Sequence, residues 1–243
     1  GSEMCIRDRC SLGVPVKTDG CVAAAIADDG TIKATGSSVS GNWLTCSTET
    51  GIMTAVTGFP FTDVPTNAWY FGDAYYAYNN ALFAGTSAST FSPNITMTRG
   101  MLVTVLWRME GSPKAAAPTF SDTRGIWCSE AVGWAAANGI VNGFDNNTFS
   151  PNGTVTREQM AAILYRYAAF KGIDVSAAAD LGSFADFESV SAYARTAIAW
   201  AAAEGIINGT TDGRLMPSSG ATRAQVAAIL PVSYTHLRAH ETG

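Results

Sequence analysis

The sequence predicts a mainly α-helical fold made of three tandem helix-loop-helix repeats. One observation is a spacing that occurs three times, with an aromatic residue, a Gly 16 positions later and an Arg after a further 14 positions. Another is that each interval contains a first helical pattern rich in Ala and ends where a second, almost continuously apolar helical pattern begins. A spacing without insertions across two helices indicates one supersecondary unit built three times. The three sets are Trp69/Gly85/Arg99, Trp127/Gly143/Arg157 and Tyr193/Gly209/Arg223.

Each repeat opens with a Phe-x-Asp tripeptide, followed by a linker of variable length and the Ala-rich first helix. Variable length indicates a loop, whereas the fixed spacing that follows indicates packed structure. Gly139 and Gly205 come at the end of the first helix, where a left-handed residue terminates a helix at least cost. Repeat one has Ala81 at this position, so its helix is expected to end less cleanly. The carboxylates of the tripeptides are Asp63, Asp122 and Asp186.

The second helix of each repeat has a strong start signal. Thr156 and Gln159, like Thr222 and Gln225, fit a capping box in which each side chain bonds the other residue's backbone N–H. Repeat one keeps the cap at Thr98 but lacks the Gln. The bodies of the three second helices are apolar nearly all round, so we expect them to pack together at the centre of the fold. These bodies are residues 101–107, 160–165 and 226–230.

The ordered motifs resemble the S-layer homology domain family. The segments that carry the resemblance are Phe61-Thr-Asp-Val64, Gly205-Ile-Ile-Asn-Gly209, Phe149-Ser-Pro151 and the three Thr-Arg pairs, and the resemblance covers residues 59–230. It implies three tandem copies in a pseudo-threefold lobe with a central three-helix bundle. The expected repeat boundaries are 59–113, 118–174 and 182–230.

The resemblance also implies a function without catalysis. Such domains tether secreted proteins to secondary cell-wall polysaccharide at the bacterial surface, often through a pyruvylated sugar held in grooves between repeats. By matching position, the expected ligand-binding residues are Arg99, Arg157, Arg223, Asp63, Asp122, Asp186, Trp69, Trp127, Gly85, Gly143 and Gly209. Repeat two keeps the most complete set of motifs, so its groove is expected to be the most typical.

The residues themselves allow two interpretations of these positions. An Arg in the first turn of a helix lies beside unpaired N–H groups and can hold a ligand carboxylate bidentately. It can equally pair with the Asp of the Phe-x-Asp tripeptide and stabilise the repeat. Trp69 and Trp127 are expected to be partly buried, with one ring face left for a sugar. The glycines are first of all positions where the backbone needs a residue without a side chain.

Composition excludes several other classes of function. The formal net charge is −5, which argues against nucleic-acid binding, and no apolar run approaches the ~20 residues that cross a membrane. No cysteine pair has zinc-site spacing, and no metal or cofactor is expected. Both histidines, His236 and His240, lie in the C-terminal tail, so a Ser-His or Cys-His enzyme is not expected. The alternatives that stay open are a lattice-assembly module and the anchoring part of a wall-glycan hydrolase.

The two ends of the chain do not follow the repeat pattern. Residues 1–10 and 231–243 resemble translated sequencing-adaptor sequence, and Pro231 is expected to cut the third repeat short. Residues 11–58 are rich in Gly, Ser and Thr and are expected to be a β-rich remnant and linker. Two hairpins are expected there, one pairing 21–26 with 31–34 and one pairing 43–47 with 52–56.

Overall fold

The structure is a computed structural model of the 243-residue chain. It describes residues 59–116, 118 and 120–230, and the backbone of seven strands before residue 57. The tail 231–243, with the helix break expected at Pro231, lies outside the described residues, as does most of the segment 1–10. The chain divides into two compact units, Gly1–Asn94 and Ile95–Gly243.

The first unit contains two antiparallel sheets, with strand orders β1-β7-β3-β4 and β2-β6-β5. Strands β3 and β4 pair with each other, as expected for the first hairpin. Strands β6 and β7 form as well, but they lie in different sheets, so they do not make the second expected hairpin. A sequence pattern can indicate that a segment forms a strand, but it does not indicate which other strand pairs with it. The strands are β1 Met4–Ile6, β2 Cys10–Pro15, β3 Val22–Ile26, β4 Ile32–Ala34, β5 Ser37–Ser40, β6 Trp43–Thr48 and β7 Gly51–Val56.

The part of the chain from residue 59 to 230 is mainly helical, with two α-helices in each repeat as expected. None of the helices among the described residues is long and apolar enough to cross a membrane. Short 3₁₀ turns precede the first helix of repeat three, the last of them at Ala192–Ala194. The helices are α1 Phe71–Asn79, α2 Arg99–Met109, α3 Ser129–Ala137, α4 Arg157–Phe170, α5 Arg195–Ala203 and α6, residues 223–230.

The three first helices end in the same way. In α1 the N–H of Leu82 donates to the carbonyl of Ala77 at 2.9 Å, and the matching bond closes the ends of α3 and α5. The residue before this donor is left-handed each time, with φ of 56° at Ala81, 70° at Gly139 and 69° at Gly205. The expectation that α1 ends less cleanly is therefore wrong. Repeat one makes the same cap, and an alanine adopts the strained conformation.

We expect Ala81→Gly to stabilise the protein by about 1 kcal/mol. A left-handed alanine costs about 1–2 kcal/mol, part of which glycine returns through the larger entropy of its unfolded chain. Urea unfolding followed by circular dichroism measures the change. Gly139→Ala is the matched control and should change stability in the opposite direction. A loss of stability in Ala81→Gly would contradict the strain assigned to this position.

The starts of the second helices confirm the capping prediction. The Thr98 hydroxyl accepts a bond from the N–H of Met101 at 3.2 Å, without a return partner. In α4, Thr156 and Gln159 form the complete capping box. In α6 the N–H of Thr222 donates to Gln225 Oε1 at 3.0 Å, and the return bond is also present. The residue at which each second helix begins is therefore determined by its own local sequence.

A closed ring of backbone hydrogen bonds joins the segments that precede α2, α4 and α6. The N–H of Met97 donates to the carbonyl of Ala221 at 2.8 Å, that of Ala221 to Val155 at 3.0 Å, and that of Val155 to Met97 at 2.9 Å. These three residues occupy the same position in the three repeats. Bonding in cyclic order at equivalent positions is what a pseudo-threefold arrangement requires, and it confirms the predicted symmetry.

Directly after the ring, a second set of bonds positions the three arginines. The N–H of Arg99 donates to the carbonyl of Gly153 at 2.9 Å, that of Arg157 to Ser219 at 2.8 Å, and that of Arg223 to Ile95 at 3.0 Å. Each second helix therefore begins against a strand-like segment of another repeat. The backbone of each first-turn arginine is therefore held by another repeat.

Candidate functional site

The aspartates of the Phe-x-Asp tripeptides hold the turn that leads to the second helix. Asp122 Oδ1 accepts from the N–H of Phe149 at 2.8 Å, and Oδ2 accepts from the N–H of Ser150 at 2.7 Å. Burial opposes ionisation, but these backbone donors hold the pKa of the Asp122 carboxyl below its usual range. Asp63 and Asp186 make the same pair of bonds, to Phe91 and Ser92 and to Leu215 and Met216.

The expected glycines let an aromatic ring approach the backbone. A Cβ at Gly143 would lie 2.3 Å from Cε1 of Phe120, the Phe of the Phe-x-Asp tripeptide. Gly85 has the same relation to Phe61 at 2.3 Å. At Gly209 the distance to Phe184 is 2.8 Å, and φ is 71°. These glycines are therefore required for packing within each repeat.

The side chain of Arg99 reaches from repeat one into repeat two. Its Nε donates to the carbonyl of Phe149 at 2.8 Å and its Nη2 to the carbonyl of Asn142 at 3.3 Å. Its guanidinium carbon lies 4.9 Å from the ring centre of Phe144 and 4.6 Å from that of Phe149. Only 7% of Arg99 is exposed. The residue therefore fixes the loop of the next repeat with part of its donor set.

The arginine of repeat two contacts repeat three in the same way. Arg157 Nε donates to the carbonyl of Leu215 in repeat three at 2.8 Å. Burial lowers the pKa of the Arg157 guanidinium, while the field of Asp186 opposes the change. Burial likewise lowers that of Arg99, and Asp122 is among the groups that oppose it. The arginines of repeats one and two thus lie near the aspartate of the next repeat, whereas sequence reasoning considered the aspartate of their own repeat.

The three aromatic residues of the repeat spacing are largely exposed. The exposed fraction is 69% for Trp69, 58% for Trp127 and 55% for Tyr193. The expectation that Trp69 and Trp127 are partly core is wrong, because α1 and α3 begin only two residues after them. An aromatic residue in the turn before a helix is not carried onto the buried helix face. All three rings are accessible to a ligand.

A groove of about 970 Å³ brings together residues of all three repeats, including the nominated Arg99 and Gly143 and the aromatic residue of the third repeat, Tyr193, which was not nominated. Arg99 comes from repeat one, Gly143 from repeat two and Tyr193 from repeat three. The loop after Gly143 forms one wall, and α4 from Glu158 to Arg166 forms the other. The lining residues are Arg99, Asn142, Gly143, Phe144, Asp145, Asn146, Thr148, Ser150, Glu158, Gln159, Ala162, Ile163, Arg166 and Tyr193.

The remaining nominated residues do not line this groove. Trp127 lies beside the start of α2, where a Cβ on Gly100 would be 3.2 Å from its Cζ2. Asp122 supports the groove indirectly, because the Ser150 that it holds is a lining residue. Arg157 belongs to the equivalent contact between repeats two and three. The aromatic residue and the arginine of one repeat therefore lie at different contacts between repeats.

Sequence reasoning nominated only Arg99 and Gly143 among the groove residues, and two of the charged residues that it missed are Glu158 and Arg166. Glu158, considered only as part of a helix start, accepts from the N–H of Ser191 at 3.0 Å and from the hydroxyl of Tyr193 at 3.2 Å. Burial, together with Glu158, raises the pKa of Tyr193 to about 12. The second is Arg166, and a signal for it was present. An Arg follows the Thr-Arg pair by nine positions in repeats one and two, at Arg108 and Arg166.

Comparison with known proteins gives three matches to one family model. The S-layer homology domain matches residues 60–100, 119–161 and 183–227, which together exceed half of the chain. Each match contains the tripeptide, the Gly and the Arg described above.

Relatives fall into two groups by name. The chain is 31% identical over 183 residues to an endoglucanase of Bacillus sp. (strain KSM-635), covering 75% of this chain and 19% of that protein. It is 33% identical over 150 residues to an amylopullulanase of Thermoanaerobacterium thermosulfurigenes, covering 60% and 8%. It is 26% identical over 178 residues to an S-layer protein of Bacillus thuringiensis subsp. finitimus, covering 72% and 21%.

This chain spans about a fifth or less of the length of these relatives. The relatives include proteins named for enzymes and proteins named for the surface layer. With three matches in register and the closed ring of repeats, the chain belongs to the S-layer homology domain family and carries its cell-surface anchoring module in three tandem copies.

Proposed function

We propose that the groove lined by Arg99, Gly143 and Tyr193 binds an acidic secondary cell-wall polysaccharide, with a carboxylate such as that of a pyruvate ketal at Arg99. The observation that carries the proposal is the convergence of a buried guanidinium, a polar loop and an exposed aromatic ring in one groove. None of these groups forms a nucleophile or an acid-base pair. The arrangement supports holding a ligand, and non-catalytic anchoring follows from it.

The chemistry of each group suits an acidic sugar. Arg99 uses two of its five donors on carbonyls, which leaves three for a carboxylate. The contact with two carbonyls and two rings fixes the guanidinium, so little side-chain entropy is lost on binding. The ring of Tyr193 offers a face for a pyranose, and Asn142, Ser150 and Gln159 offer hydrogen-bond partners for hydroxyls.

The direct test is a titration of the full chain with purified acidic wall polymer by calorimetry. We expect binding to the intact polymer and at least about 100-fold weaker binding after mild acid removes the pyruvate ketals, since a buried charge-assisted pair is lost. The neutralised polymer has the same sugars and so controls for contacts with hydroxyls. Equal affinity for the two polymers would overturn the role of the carboxylate.

We infer that the module tethers a longer surface protein, because the relatives that share it are several times longer than this chain. Relatives named S-layer proteins also favour a second function, in which the repeats assemble a surface lattice. Light scattering of the chain without polymer separates the two. Concentration-dependent growth of large particles supports assembly, whereas a constant particle size together with polymer binding supports anchoring.

A further inference from the structure

Arg166 is a second cation of the groove, on the wall formed by α4. It follows Gln159, Ala162 and Ile163 by seven, four and three positions, so all four lie on one face of the helix. The side chain of Arg166 is half-buried. Among residues 59–230 as the structure describes them, no carboxylate lies within ion-pair distance of it. Arg166 lines the groove, and its guanidinium donors are not used in an ion pair with a described residue.

Two carboxylates, Asp145 and Glu158, also line the groove, and neither forms an ion pair with Arg166. Glu158 accepts bonds from Ser191 and Tyr193, and Asp122 accepts two backbone bonds. Asp145 is exposed on the loop wall. Burial lowers the pKa of Arg99, and the positive charge of Arg166 adds to this decrease, so the two arginines repel each other across the groove.

A repulsion of this kind is relieved when an anion enters. Two guanidiniums in one groove repel each other in the free protein, and an anion that lies between or upon them relieves this repulsion. The small side chain of Ala162 and the apolar side chain of Ile163 line the same wall, so a ligand can reach both cations. The groove thus has two places for negative charge.

We propose that Arg166 binds a second anionic group of the same ligand, so that the groove selects a stretch of polysaccharide carrying two negative charges. This inference rests on the proposed function of the groove. The second group is a carboxylate or a phosphate, both of which a guanidinium holds bidentately. Arg99 is the fixed, buried cation that binds the first negative charge, and Arg166 is the more exposed cation that binds the second.

The test compares three synthetic probes by calorimetry on the full chain. The first is a monosaccharide with one pyruvate ketal, the second a disaccharide with a ketal on each sugar, and the third a disaccharide with one ketal and one phosphate ester. We expect Arg166→Gln to lower the affinity for each disaccharide about tenfold and the affinity for the monosaccharide less than about twofold. Which disaccharide binds the unmodified protein more tightly identifies the second group as carboxylate or phosphate.

Arg124→Gln is the matched control, because Arg124 is exposed in the same unit and does not line the groove. Equal effects of Arg166→Gln on all three probes, or none beyond those of Arg124→Gln, overturn the inference. Should Arg166→Gln not fold, the unmodified protein decides the matter by salt dependence. Affinity for the disaccharides must then fall more steeply with salt than affinity for the monosaccharide.

The failure of this inference is distinguishable from the failure of the proposed function. If the unmodified protein binds none of the ketal probes, the proposed function fails, and the role assigned to Arg166 fails with it. If it binds the monosaccharide while the second charge adds no affinity that depends on Arg166, only the assignment of Arg166 fails. In that case Arg166 is a solvated cation at the edge of a site that Arg99 serves alone.

Discussion

Asp122→Ala should destabilise the unit Ile95–Gly243 by about 3–5 kcal/mol, the largest effect on stability that we expect from a single polar side chain. The substitution removes two charge-assisted bonds, each contributing about 1.5–3 kcal/mol, and leaves the N–H groups of Phe149 and Ser150 without acceptors. Because the carbonyl of Phe149 also accepts from Arg99, the loss spreads to the contact between repeats. Urea unfolding measures it.

Two variants control for charge and position. Asp145→Ala removes an exposed carboxylate of the same loop region and should change stability by no more than about 0.5 kcal/mol. Asp186→Ala removes the equivalent pair of bonds in repeat three and should cost as much as Asp122→Ala. A cost for Asp122→Ala no larger than that of Asp145→Ala would mean that the two bonds contribute nothing net.

The pH dependence has a definite sign. The folded-state pKa of Asp122 is lowered, so its contribution is fully present above the pKa of an unfolded Asp, about 3.9, and is lost as pH falls through the lowered folded value. Asp122→Asn keeps the shape without a titrating group. The stability difference between the protein and this variant should therefore shrink below about pH 4, and a constant difference would contradict the assignment.

Much of the repeat was predictable because its determinants are local. Capping residues such as Thr156 and Gln159 act within one helical turn, and Gly139 and Gly205 act on a single backbone position. Such signals are visible in a short window of sequence. The left-handed Ala81 shows the limit of this reasoning, since the surrounding repeat imposes the cap even where the local residue opposes it.

The composition of the groove was not predictable in the same way. The resemblance implies grooves between repeats, but the spacing pattern places Arg99, Gly85 and Trp69 in one repeat and does not indicate which residues of the neighbouring repeats they meet. The cyclic bonding between repeats instead offers Arg99 to Gly143 and Tyr193. A repeat unit determines its own shape, but the neighbour that it contacts is decided by how the units close into a ring. That closure is a long-range property that no single window of sequence contains.

Arg99→Gln should weaken binding of the acidic wall polymer by at least about 100-fold and lower stability by about 2–4 kcal/mol. The binding loss follows from removal of the cation for the carboxylate. The stability loss follows from two charged hydrogen bonds to carbonyls, at Phe149 and Asn142, and from two cation–π contacts. Calorimetry with the polymer, at a temperature where the variant is fully folded, measures binding separately from stability.

Arg157→Gln separates positioning from ligand binding. It removes the equivalent bond, from Nε to the carbonyl of Leu215, and should cost comparable stability while leaving the groove at Arg99 intact. High-affinity binding at that groove should therefore survive in Arg157→Gln and disappear in Arg99→Gln. Arg99→Lys sharpens the distinction, because it keeps the charge but not the planar fork and so should recover only part of the affinity. If Arg99→Gln binds the polymer as the unmodified protein does, Arg99 is a brace between repeats alone, and the carboxylate must be held elsewhere in the groove.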